Sequence, residues 1–147
     1  MKKYILIGIG VVIIAFAVLL VITVIRGKRN VLDGPDMVNG YTQITQEEAK
    51  EMMKLNNGHI VVDVRRPDEF ETGHIPGAIC IPNESIESEP PEELPDLNQI
   101  ILIYCRSGRR SKEAAQKLFD MGYTRVFEFG GILDWTGETV TEQETQA

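Results

Sequence analysis

The sequence predicts an α/β domain built around a parallel sheet. Short β-branched runs alternate with amphipathic helical segments, and one of those runs delivers a cysteine into a turn rich in glycine and arginine. His59-Ile-Val-Val-Asp-Val64 and Ile100-Ile-Leu-Ile-Tyr104 are dominated by β-branched and aliphatic residues, the pattern of strands buried on both faces. Helical segments lie between such runs, and strands joined through helices pair in parallel.

From Tyr4 to Ile25 the chain runs 22 residues without a charge, and about 20 apolar residues let a helix cross a bilayer. Residues 1–29 are therefore expected to form a single-pass transmembrane anchor with a basic flank, placing the protein at a membrane. A cleaved signal peptide fits less well, because the stretch ends Val24-Ile25-Arg26-Gly27 without an Ala-x-Ala site. Lys2 and Lys3 precede the span, while Arg26, Lys28 and Arg29 follow it, so the positive-inside rule leaves the orientation open. Residues 30–40 mix Gly, Pro, Asp and Asn without apolar periodicity and read as a linker.

Residues 41–137 are expected to form one domain, followed by a polar tail over 138–147. Thr45-Gln-Glu-Glu48 matches a capping box, and Ala49, Met52 and Met53 mark the inner face of a helix running to about Leu55. After the strand at 59–64, Pro67 suits the first turn of a short helix over Asp68 to Glu71. Ala78 to Ile81 reads as a second strand. The Pro- and Glu-rich stretch from 82 to 98 reads as a surface connection with one helical turn around Glu92 to Leu97. Ile100 to Tyr104 is the most apolar strand. A helix from Ser111 to Met121 follows, with Ala114, Ala115, Leu118 and Phe119 facing the core and Gly122 at the stop. Arg125 to Phe129 supplies a last strand, and Gly130 to Trp135 a final helical turn.

Composition narrows the function. Five of the 15 basic residues lie at or before position 29, leaving ten against 22 acidic residues beyond it, a net of about −12. Such a surface repels nucleic acid, and no nucleic-acid partner is expected. Cys80 and Cys105 alone do not make a disulfide framework. With no Cys-x-x-Cys or His-x-x-x-His spacing, and only His59 and His74 as histidines, neither a metal nor a cofactor is expected.

The chemistry concentrates at Cys105-Arg-Ser-Gly-Arg-Arg110. In open α/β sheets ligands bind at the carboxyl ends of strands, and this run lies between a buried strand and a helix. Backbone N–H groups at a helix start, the helix dipole and the cations of Arg106, Arg109 and Arg110 all favour a thiolate over a thiol at Cys105. Gly108 lacks a Cβ and can take the positive φ that curls the loop around the sulfur. Such a cradle would hold a persulfide as well as a thiolate.

Asp63-Val-Arg65, Glu69-Phe70, Gly73-His-Ile-Pro-Gly-Ala78, Tyr104-Cys-Arg-Ser-Gly-Arg-Arg-Ser111 and Gly130-Gly-Ile-Leu-Asp-Trp135 together resemble the rhodanese-like domain, over about Tyr41 to Trp135. The resemblance implies a central, mainly parallel five-stranded sheet flanked by helices. It also implies a sulfurtransferase in which Cys105 takes sulfane sulfur from thiosulfate or a related small anion as a persulfide, then passes it to cyanide, a thiol or a protein acceptor. Arg106, Ser107, Gly108, Arg109 and Arg110 would form the anion-binding loop. Certain cell-cycle phosphatases share this fold but have a loop one residue longer that ends in Arg. Counted from Cys105 that position is Ser111, so the loop is sized for sulfur rather than phosphate.

Other residues carry two readings each. Asp63 and Arg65 end a strand on the edge where the loop should lie and are expected to support it through hydrogen bonds; the alternative is an Arg65–Glu69 ion pair. Cys80 packs as a small hydrophobe or serves as a resolving thiol. His74 is expected to be a packed histidine fixing a turn, and Trp135 a core residue. The second functional reading is a redox-sensing or partner-binding module, since a reactive thiolate is also open to oxidation.

Overall fold

The computed structural model describes residues 36–38 and 40–141. The expected anchor over Tyr4 to Ile25 lies outside them, as does most of the linker. Among the described residues no helix is long and apolar enough to cross a membrane.

The chain forms strands β1 (Asp36–Val38), β2 (Tyr41–Gln43), β3 (Ile60–Asp63), β4 (Ala78–Cys80), β5 (Ile101–Cys105) and β6 (Val126–Gly131). Its helices are α1 (Gln46–Met53), α2 (Pro67–Glu71) and α3 (Arg109–Asp120), with 3-10 turns at Asn83–Ser85 and Ile132–Asp134. The sheet order is β1-β2-β6-β5-β3-β4. Five strands from β2 to β4 are parallel, as the resemblance implies. A sixth, β1, joins the edge in antiparallel pairing with β2, in the segment read as linker. Three residues are too few to show a period, and β1 is held by backbone pairing with β2, before which Gly40 has φ +106°.

Two cores lie on the two faces of the sheet. Val62, Ile101, Ile103 and Cys105 pack with Ala114, Ala115 and Leu118 of α3, while Val61, Leu102, Tyr104 and Phe129 pack with Ala49 of α1. The central strand β5 is buried at every position, which accounts for its unbroken apolar sequence: alternate side chains feed opposite cores.

Local signals placed the helix starts. Glu48 N–H donates to the Thr45 hydroxyl at 3.2 Å and Thr45 N–H to the Glu48 carboxylate at 2.7 Å, completing the capping box. Pro67 opens α2, where its missing N–H costs nothing.

Several expectations are corrected. The helical turn expected at Glu92 to Leu97 is absent; the connection instead makes its 3-10 turn at Asn83–Ser85 and is pinned by buried Ile86 and Leu94. Phe119 is 39% exposed rather than in the core, its ring lying over Gly40, where a Cβ would collide with it. The tail is docked as far as Val140, which exchanges two backbone hydrogen bonds with His74, both 2.9 Å. Helix α3 begins at Arg109, two residues before the expected Ser111, because Gly108 turns the chain into the helix at φ +95°.

Candidate active site

Cys105 ends β5 at the carboxyl edge of the sheet and is 1% exposed. The Gly108 N–H donates to its Sγ at 3.1 Å. This contact requires the loop to double back within three residues, and the positive φ of Gly108 supplies that reversal. Helix α3 starts at the next residue and directs its N-terminal partial positive charge toward the same end of the loop. Its first turn contains no acidic residue.

The three arginines of the run occupy different environments. Arg110 lies in the first turn of α3 with its side chain 14% exposed, and holds Glu69 in a two-point ion pair at 2.7 and 2.9 Å. Glu69 also accepts from the Arg66 N–H at 3.2 Å. Hydrogen bonding from Arg110 holds the Glu69 carboxyl at about 2, well below the usual carboxylate range. Arg110 is correspondingly raised, first by Glu69 and further by the negative charge that Cys105 can carry. Arg109 points outward and pairs with Glu113 one helical turn on, at 2.6 Å. Arg106 and Ser107 are exposed on the loop, and Arg106 has no carboxylate partner among the described residues.

Asp63 and Arg65 are buried and bind each other. Arg65 Nε donates to both carboxylate oxygens at 3.0 and 2.9 Å, and Nη2 to Oδ2 at 2.6 Å. Nη2 also donates to the Gly73 carbonyl at 2.7 Å. The pair therefore braces the Gly73-to-Pro76 turn, with no hydrogen bond to the Cys105 loop. The alternative Arg65–Glu69 ion pair does not form, because each residue is taken by a nearer partner.

The same turn is held from two other sides. The Ile75 N–H donates to the Tyr104 hydroxyl at 3.1 Å, and burial together with the Asp63 charge pushes that phenol's pKa up. His74 is packed as expected, Nδ1 donating to the Phe70 carbonyl at 3.0 Å and the ring stacked on Phe70. Cys80 is a half-buried thiol, in no disulfide, that donates to the Arg65 carbonyl at 3.6 Å. Trp135 is half-buried against Phe129, with the Lys50 ammonium 4.9 Å above its ring.

Two further groups shape the loop: Gly131, which the sequence offered only as part of the Gly130-to-Trp135 motif, and Glu128, which it did not single out. Gly131 lies so close beneath it that a Cβ there would collide with the Arg106 carbonyl and come within 2.5 Å of Ser107 Cα. The Leu133 N–H donates to that carbonyl at 3.2 Å. Glu128, 2% exposed on β6, accepts from the Ser111 hydroxyl at 2.6 Å, from the Gly130 N–H at 2.9 Å and from Gln43 Nε2 at 3.1 Å. A lone glutamate in an otherwise apolar strand, Val-Phe-Glu-Phe, was the available sequence signal. Ser111 is a fully buried hydroxyl.

Comparison with known proteins agrees with this geometry. The chain is 38% identical over 73 residues to the thiosulfate sulfurtransferase PspE of Escherichia coli (strain K12), covering 50% of this chain and 70% of that one. It is 33% identical over 106 residues to the thiosulfate sulfurtransferase GlpE of Pseudomonas syringae pv. syringae (strain B728a), covering 71% and 94%. Among solved structures it is similar to a rhodanese with anions from E. coli, at TM-score 0.51 and 34% identity, over 56% of this chain and 98% of that one. Residues 45–138 match the model of the rhodanese-like domain, and with Cys105 at the head of its loop the chain belongs to that family.

Proposed function

We propose that the protein is a sulfurtransferase that loads sulfane sulfur from thiosulfate, or a related small anion, onto Cys105 and hands it to a thiol, cyanide or a protein acceptor. One observation carries this reading: the Cys105 sulfur sits at the start of α3 with the Gly108 N–H 3.1 Å away, an arrangement that stabilises a negative sulfur.

In the first half-reaction the Cys105 thiolate attacks the outer sulfur of thiosulfate. A Cys–S–S bond forms, the S–S bond of thiosulfate breaks, and sulfite leaves with the electron pair. In the second, a thiolate or cyanide attacks the outer sulfur, and Cys105 departs as the thiolate it was. No general base is needed when the nucleophile is already ionised. Burial of Cys105 favours donors that present a slim terminal atom, as an outer sulfane sulfur does. Arg106, exposed and without a carboxylate partner among the described residues, steers the donor anion. Arg109 and Arg110 are tied to Glu113 and Glu69 and contribute field and loop geometry.

We further propose that the uncharged stretch from Tyr4 to Ile25 anchors the chain to a membrane. Resistance of the protein in isolated membranes to carbonate extraction is the expected result, and release into the supernatant would refute the anchor.

The test of the activity is to treat the full-length chain, purified in detergent, with thiosulfate and weigh it intact beside Cys105→Ser. The expected product is one added sulfur that is absent from the variant and removed by cyanide. A chain that alkylates readily at Cys105 yet gains no sulfur would rule out thiosulfate as donor and favour the redox-sensing reading.

A further inference from the structure

We infer that Glu128 is a positioning residue for sulfur transfer: its buried carboxylate clamps the exit of the Cys105 loop and the wall beside it, holding the Gly108 N–H on the sulfur. The inference rests on the sulfurtransferase reading and adds a residue to it.

The chain of contacts runs through one glycine. The N–H of Gly108 meets Cys105 Sγ at 3.1 Å, and the carbonyl of the same residue lies 3.1 Å from the Ser111 hydroxyl. That hydroxyl faces three acceptors, Glu128 Oε1 at 2.6 Å, Gly108 O at 3.1 Å and Gly130 O at 3.3 Å, and has one proton. The shortest contact is to the carboxylate, which accepts the hydroxyl's hydrogen bond and so sets where the hydroxyl oxygen stands against the Gly108 carbonyl. The same Oε1 receives the Gly130 N–H at 2.9 Å. Gly130 forms the wall facing Gly108, its Cα 3.6 Å from where a Gly108 Cβ would stand, and Gly131 supports Arg106 and Ser107 from below. One carboxylate oxygen thus fixes both sides of the turn.

Energetics argue against Glu128 being there for packing. An apolar side chain would fill this position at no electrostatic cost, whereas a buried carboxylate needs every lone pair engaged to offset its lost hydration. Here three neutral donors, from Ser111, Gly130 and Gln43, meet that need. A hydrogen-bond clamp can be mimicked by an amide: glutamine offers its oxygen to Ser111 and Gly130 while Gln43 turns its own amide to match. Leucine, of similar volume, cannot.

The test compares Glu128→Leu, Glu128→Gln and Ser111→Ala with the wild type, all as full-length chain in detergent. It records the rate of sulfur loading from thiosulfate per folded molecule and the hydrogen-exchange protection of the Gly108 and Gly130 amides relative to the β5 amides. Glu128→Leu and Ser111→Ala are expected to load sulfur about 10- to 100-fold more slowly, the scale of a reacting group displaced by about 1 Å, and to lose protection selectively at Gly108, with Gly130 losing it as well in Glu128→Leu, which removes the acceptor of that N–H. Glu128→Gln is expected to retain most of the rate and the protection. If Glu128→Leu fails to fold, Ser111→Ala carries the comparison. Equal loading rates in wild type, Glu128→Leu and Ser111→Ala would overturn the inference, as would a Glu128→Gln variant as slow as the other two. A wild type that takes no sulfur would instead rule out thiosulfate as donor and favour the redox-sensing reading, and the amide protection would still decide the clamp.

Discussion

The guanidinium of Arg110 grips the carboxylate of Glu69 with two hydrogen bonds, 2.7 and 2.9 Å long, across 41 positions of chain. Through this pair α2 is fastened to the first turn of α3, next to Cys105. An arginine that the sequence offers as a free anion ligand is thereby a structural strut whose charge still interacts with the negative charge that Cys105 can carry.

That strut has an acid limit. The folded-state Glu69 carboxyl sits at about 2 against an ordinary value of 4.5, so its contribution is fully present above about pH 4.5 and is lost as pH falls toward 2. In thermal melts between pH 5 and 2, Glu69→Gln is expected to flatten part of the wild-type decline. A variant with an acid limb as steep as the wild type would show that the pair contributes nothing to it.

Arg106 and Arg109 should separate kinetically. Arg106→Ala is expected to raise the KM for thiosulfate roughly fivefold, the scale of an exposed charge contact, with little change in kcat. Arg109→Ala should change both less, because Glu113 already neutralises that cation at 2.6 Å. Steady-state rates with cyanide as acceptor decide between them, and equal effects at the two positions would contradict the assignment.

Gly108 and Gly131 resist a methyl group for different reasons. Gly108→Ala has room, with nothing closer than 3.6 Å, but must hold φ +95°, a cost of about 1–2 kcal/mol. Gly131→Ala drives its Cβ into the Arg106 and Ser107 backbone, which must shift. Denaturant melts are expected to rank Gly131→Ala as the more destabilised, with sulfur loading reduced in both.

The Asp63–Arg65 pair is buried at both ends, so removing one partner strands the other charge. Asp63→Ala is expected to lose about 3–5 kcal/mol in urea unfolding. Because no hydrogen bond links the pair to the Cys105 loop, the folded fraction should still load sulfur. A stable Asp63→Ala protein that cannot be loaded would place the pair in the site itself.

The sequence by itself determined the features that depend on a few consecutive residues. The Thr45–Glu48 capping box, Pro67 at the start of α2, the doubly buried β5 and Cys105 followed by a loop that needs Gly108 at positive φ are all local, and local geometry follows from local residue types. The helix from Arg109 was misjudged by two residues because its start depends on the conformation of Gly108 rather than on apolar period. Tertiary structure alone decided the partners. Glu69 could have met Arg65, four residues away, but Asp63 lies closer to that arginine in the folded chain, and Arg110 arrives only when α2 and α3 dock at the sheet edge. Glu128 reads in sequence as one polar residue in a strand; folding brings Ser111 and Gly130 to it. Periodicity reports which face a residue occupies, whereas charge and hydrogen-bond pairing depend on which elements the topology lays side by side.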